Sequence, residues 1–154
     1  MQPSLFERVC QSAAPILDRA GIAHERFESS ARILAVSADG PDGFDVEVTD
    51  GDEEVLVSWG HGHAYFADEA GALKMFFAGL TARGRLTEIC RGDSVVRSVM
   101  EYRTPDGLHC FLDTRYWPSP FWRRKHVRVL QNQHRFPHEL LDGLSLTSDP
   151  PVPA

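Results

Sequence analysis

Cysteine is scarce in this chain: Cys10, Cys90 and Cys110 are odd in number, widely spaced and set among apolar neighbours. That pattern fits reduced core thiols better than a disulfide framework or a zinc knuckle. Long apolar runs are also missing. No stretch approaches the roughly 20 residues of a membrane span, and MQPSLFERVCQSAAP lacks the basic start and apolar core of a signal peptide. The expectation is a cytoplasmic protein with no membrane contact. The signatures of catalysis are absent too: there is no P-loop, G-x-S-x-G or H-E-x-x-H. Gly60 and Gly62 make no dinucleotide fingerprint, because histidines lie among them and no helix opens there. Cys110 adjoins His109, but neighbours in a strand point to opposite faces and cannot act as a thiol–imidazole pair. No internal repeat is visible.

What is present is ordinary globular material, 154 residues with 42% hydrophobic and 25% charged side chains. A chain of this length hides roughly 70% of its unfolded surface and needs neither metal nor disulfide to fold. The pattern predicts one domain over residues 1–140, followed by a flexible proline-containing tail over 141–154. Charge is unevenly spread. Residues 1–80 hold 14 acids against 5 bases, a balance of -9, whereas residues 81–154 hold 11 bases against 8 acids, a balance of +3. Mutual neutralisation of the halves is the plain expectation, and a basic face that meets a partner is the other.

The stretch 54–80 organises the pattern. Val55, Val57, Trp59, His61, His63 and Tyr65 share one parity and predict a single buried strand over 53–66, with both histidines on its core-sharing face. Leu73, Phe76, Phe77 and Leu80 then take helical spacing, with Asp68 placed as the cap. Before this unit, Pro3 to about residue 20 reads as a helix, kinked at Pro15 or divided there into two short helices, and stopped by Gly21. The run 31–37 reads as a strand, and 44–49 as another that turns through Asp50-Gly51-Asp52 into the next. Behind it, 85–90, 94–103 and 108–116 alternate, with short connections that suit an antiparallel meander, and 125–131 could add a further strand. The fold class is α+β: a largely antiparallel sheet of about six strands in the order α-β-β-β-α-β-β-β, with two main helices on one face.

Two constellations carry chemistry. His61 and His63, with Asp68 and Glu69 close behind, could place two imidazoles on one metal. A third ligand, His109 or His126, is not placed by the sequence, so hydrogen-bonded structural histidines near a sheet end are the first expectation. The alternative is a small metal-binding protein or metal-assisted hydrolase. The second constellation is Tyr116, Trp117, Phe121, Trp122, Arg123, Arg124 and Lys125, the densest aromatic and basic stretch, stiffened by Pro118 and Pro120. It reads as an interaction surface. Competing uses are rings that plug an open end of the sheet, or a nucleic-acid contact over 116–128, which a net charge of -6 disfavours.

At WGHGHAYF, the helix after it, and PFWRR followed by VLQN, covering about residues 44–132, the chain resembles a group of small bacterial proteins of unknown function. The resemblance implies a bacterial, cytoplasmic protein and assigns no functional residue. Together these features point to a non-catalytic binding or protein-interaction domain, with no cofactor, whose partner is another protein or a second copy of itself.

Overall fold

The computed structural model describes residues 2–104, 106–117 and 120–144. Its first helix, α1, runs Leu5–Arg19. The start is set by Ser4, whose Oγ accepts from the Glu7 N–H at 3.2 Å, so Pro3 lies ahead of the helix instead of opening it. Pro15 does not divide the helix. Gln11 and Pro15 lie on its exposed side, where water can satisfy the freed Gln11 carbonyl. The end does fall at Gly21, at φ 70°: its N–H bonds the Asp18 carbonyl and that of Ile22 bonds Leu17. This is a Schellman closure, with the buried Ile22 as its apolar contact.

Five strands then form an antiparallel meander: β1 (Glu25–Glu28), β2 (Arg32–Val36), β3 (Val46–Gly51), β4 (Glu54–Trp59) and β5 (Gly62–Phe66). The expected hairpin joins β3 to β4, with Asp52 at φ 71° in the turn. Val46, Val48, Val55, Val57 and Trp59 make its fully buried inner face. The single strand expected over 53–66 is two. Gly60, at φ 55°, and His61 form a two-residue turn, and the register pairs Trp59 with Gly62 and Val57 with Ala64. Reversing through two residues moves the inner face from odd to even numbers. His63 and Tyr65 therefore project to solvent, and His61 sits in the turn instead of on a core-sharing strand face.

Helix α2, Glu69–Leu80, follows, capped by Asp68, whose side chain accepts from the Gly71 N–H at 2.7 Å. It buries Ala72, Met75, Phe76, Phe77 and Leu80, and its Met75 carbonyl accepts the Trp59 indole N–H at 3.2 Å. A second antiparallel sheet is built from β6 (Gly84–Arg91), β7 (Ser94–Thr104), β8 (Gly107–Arg115) and β9 (Lys125–Leu130), in the order β8-β7-β6-β9. The class is thus α+β, with nine strands among the described residues divided between two antiparallel sheets. The sheets meet where the Phe111 ring stacks on Phe66 and stands edge-on to Trp59.

The chain leaving β9 is fastened by Asn132, which is fully buried. Its Oδ1 accepts from the Asp39 and Phe44 N–H groups at 3.0 and 3.2 Å, and its Nδ2 donates to the Phe44 and Gly79 carbonyls at 2.8 and 2.9 Å. A short helix, α3 (His138–Gly143), takes in the first residues of the expected tail, of which 145–154 lie outside the described residues.

Candidate interaction surface

Alternation in the second sheet separates its two faces. Leu86, Glu88 and Cys90 of β6 point inward and are buried, while Arg85, Thr87, Ile89 and Arg91 are half-buried on the outside. Residues opposed in an antiparallel ladder share a face, so the register extends the outer surface strand by strand. Lys125 lies beside Arg91; Val127, Ile89, Arg97 and Arg115 form the next row; Val129, Thr87, Val99 and Asp113 form the one after. Val127 and Val129 are both 55% exposed. A short apolar strip of Val127, Val129, Ile89 and Val99 thus lies toward the β9 side of this face, with Lys125 and Arg91 at one end and the Arg97–Asp113 ion pair beyond it.

The aromatic stretch borders that end. Trp117, Phe121 and Trp122 are 89%, 76% and 71% exposed, so none plugs the sheet. Their backbone is nonetheless held in place. The Tyr116 N–H bonds the Val96 carbonyl at 3.0 Å and the Gly92 N–H bonds the Arg124 carbonyl at 3.0 Å. Arg91 Nη1 donates to the Phe121 and Arg123 carbonyls, each at 3.3 Å. The Arg123 stem lies over Gly92, where a Cβ would stand 2.6 Å from its Cδ. The Phe121 and Trp122 rings meet edge to face with centroids 5.2 Å apart. Between these anchors a depression of about 360 Å³ is lined by Ile89, Arg97, Arg115, Tyr116, Trp117 and Lys125, among others. Pro118 lies outside the described residues.

Behind the surface, a polar joint connects the sheets. Glu88 is 2% exposed; its carboxylate meets His61 Nδ1 at 2.6 Å and accepts from Arg128 Nη2 at 2.8 Å. The Tyr116 hydroxyl donates to the His61 carbonyl. Burial first, and then the negative charge of Glu88, push the Tyr116 pKa up, which keeps this hydroxyl a donor. The turn leaves no room for a side chain at Gly60, where a Cβ would stand 2.9 Å from Leu86 Cδ2.

The metal candidates are not gathered. His61 faces Glu88, and the His63 ring stands edge-on to Tyr65. Asp68 caps α2, while Glu69 accepts from the Ser12 hydroxyl at 2.7 Å and lies 3.6 Å from Arg8 Nε. Among the described residues no three His, Cys, Asp or Glu side chains are grouped to hold a metal ion. Among the described residues, His61 of the first half meets Glu88 of the second, while several arginines pair within their own half. Arg26 and Arg32 pair with Glu7, Glu28 and Asp50 of the first half; Arg85, Arg97 and Arg128 pair with Glu101, Asp113 and Glu88 of the second.

Sequence reasoning singled out the 116–125 segment but missed Arg91, which pins it, and Glu88, Arg128 and Asn132. A signal existed for Glu88, because it stands on the same parity as Leu86 and Cys90. Among the described residues no helix is long and apolar enough to cross a membrane. No family model, curated protein or solved structure matches the chain.

Proposed function

We propose that this chain is a non-catalytic protein-interaction domain of bacterial, cytoplasmic type, which docks another protein on the outer face of its second sheet and on the aromatic rim beside it. The observation that carries the reading is the exposure of Trp117, Phe121 and Trp122 on a backbone fixed by Arg91, Gly92 and Tyr116. Rings of this kind bury roughly 150–250 Å² each on docking. A surface already held in its bound shape loses little conformational entropy when a partner arrives. Tryptophan and arginine together are the residue types that dominate binding energy at interfaces. A nucleic acid fits less well, since a net charge of -6 repels a polyanion at long range.

The test compares the full chain with the variant Trp117→Ser, Phe121→Ser, Trp122→Ser. Its rings touch little of the core, so circular dichroism and the melting curve should match the parent. Each protein is used as bait in cell extract, bound proteins are identified by mass spectrometry, and sedimentation velocity reports self-association. We expect at least one protein, or a second copy of the chain, to bind the parent and be lost from the variant. Identical captured proteins and identical sedimentation for both would sink the reading.

A further inference from the structure

The strand β9 closes the second sheet on one side. Six residues, Lys125–Leu130, pair with β6 in unbroken register from Arg91↔Lys125 to Leu86↔Leu130, and among the described residues no strand pairs with the opposite edge. Such an edge presents a row of alternating backbone N–H and C=O groups, which proteins usually guard with charge, proline or a bulge. The guard here has one sign. Lys125, His126 and Arg128 fall within the strand, Arg123 and Arg124 precede it, and 123–130 holds no acid. The edge at the other side of the sheet differs, because the pairing of β7 with β8 shifts register between Met100 and Glu101.

We propose that β9 is completed by an added strand from an acidic partner, a segment that alternates apolar and carboxylate side chains. The inference rests on the protein-interaction reading and names its mode and partner chemistry. Opposed residues share a face, so one parity of the incoming strand covers the exposed Val127 and Val129 and extends the apolar strip. The other parity meets His126 and Arg128. Arg128 is 49% exposed even while bound to Glu88, which leaves its guanidinium open to a second carboxylate. Lys125 and the cations before it attract the same partner locally, within a Debye length of the strand (~10 Å at 0.1 M salt), where they outweigh the distant net charge. A second copy of β9 is disfavoured because its own cations would be brought opposite these. A phosphodiester chain is disfavoured because it offers acceptors only, whereas the edge presents donors and acceptors in alternation. A peptide backbone answers both, as in other strand-addition complexes.

The test uses the intact chain and a blocked peptide of roughly eight residues, alternating valine and glutamate, long enough to cover one strand. Binding is followed by fluorescence polarisation of a labelled peptide. Two further peptides carry N-methyl groups on alternate residues, one set on each edge of the peptide. A lysine-for-glutamate peptide and a single-stranded oligothymidine complete the set. The expected result is that the parent peptide binds, the lysine peptide does not, and one methylated peptide binds at least about tenfold more weakly than the other. Such asymmetry arises only when a single edge of the peptide is hydrogen-bonded. Lys125→Glu, or Val127→Thr, should weaken binding with the melting curve unchanged; Lys125 and Val127 are exposed, so neither variant depends on the buried joint.

Equal binding of the two methylated peptides overturns strand addition but leaves a side-chain docking surface, and hence the broader reading, intact. Binding of oligothymidine without the peptide overturns both. Failure of every peptide to bind overturns strand addition, while the ring-substituted variant still decides the broader reading.

Discussion

A carboxylate taken out of water costs several kcal/mol unless its charge is answered, and Glu88 is answered from two directions, by His61 Nδ1 and by Arg128 Nη2. An amide of the same shape replaces it poorly: it carries no charge to answer Arg128, and it can face His61 only by turning its nitrogen there and forcing the ring into the tautomer whose Nδ1 accepts. Glu88→Gln is therefore expected to destabilise the fold by roughly 1 to 3 kcal/mol, read as a lower urea midpoint at unchanged slope. An unmoved midpoint would mean that the joint is ornamental. The same geometry bears on metal. With Nδ1 of His61 committed to Glu88, and His63 turned to solvent, added chelator should leave the melting temperature unchanged; a fall would restore the metal reading of this turn. The Tyr116 hydroxyl gives a pH dependence. Its folded pKa lies above its unfolded value, so its contribution is fully present below the ordinary tyrosine range and is lost as pH rises through the raised value. Tyr116→Phe should abolish a tyrosinate absorbance component that ionises above that range. Residue types were readable in advance at these positions, but their partners were not. Glu88, His61 and Arg128 are far apart in the chain, and only the pairing of β6 with β9 and the tight turn after β4 bring them together.

Helix α2 shows how closely the elements fit. Asp68, the apolar spacing and the burial of Phe76 and Phe77 all follow from sequence, because capping and helical periodicity are local. Phe76→Ala or Phe77→Ala should cost roughly 3 to 5 kcal/mol, with Lys74→Ala costing at most about 1 kcal/mol, the worth of its cation–π contact with Tyr102. A denaturation midpoint unmoved by both phenylalanine changes would contradict the packing. Gly79 is different. A Cβ there would stand 2.6 Å from Trp59 Cδ1 and 3.2 Å from Val46 Cγ2, so the helix approaches β4 only because this position has no side chain. Although alanine is the better helix former, Gly79→Ala should lower stability by roughly 1 to 3 kcal/mol; a gain on thermal melting would mean that Trp59 can move aside. The elements that local reasoning misplaced or missed have separate causes. A two-residue turn at Gly60-His61 sits inside an alternating run without interrupting it, so the pattern reads as one strand. The strand β1 is exposed along all four residues and offers no inward face to detect.

Across the whole molecule, the sequence conveys class and helix–sheet order, but not the division of the strands into two sheets, since that depends on which edges pair. Asn132 is central to that assembly and carried no visible signal beyond its place after VLQ. One side chain joins the loop before β3, through Asp39 and Phe44, to the end of α2, through Gly79, and holds the chain that leaves β9. It thereby ties the two sheets to the helix between them. Replacing it with alanine strips three buried backbone groups, and the Asp39 N–H nearer to solvent, of their partner; each buried group is worth roughly 1 to 3 kcal/mol when left unanswered, though such losses do not add in full. The expected loss is roughly 3 to 5 kcal/mol. Its distribution is as informative as its size. In a background of Trp117→Phe and Trp122→Phe, the remaining Trp59 reports by fluorescence on the contact between α2 and the sheets, and far-ultraviolet circular dichroism reports on all strands together. If Asn132 joins a single cooperative unit, both signals should shift to the same lower urea midpoint in Asn132→Ala. Separation of the two curves, with circular dichroism lost ahead of Trp59 fluorescence, would show that the second sheet can come away from a first sheet that stays folded.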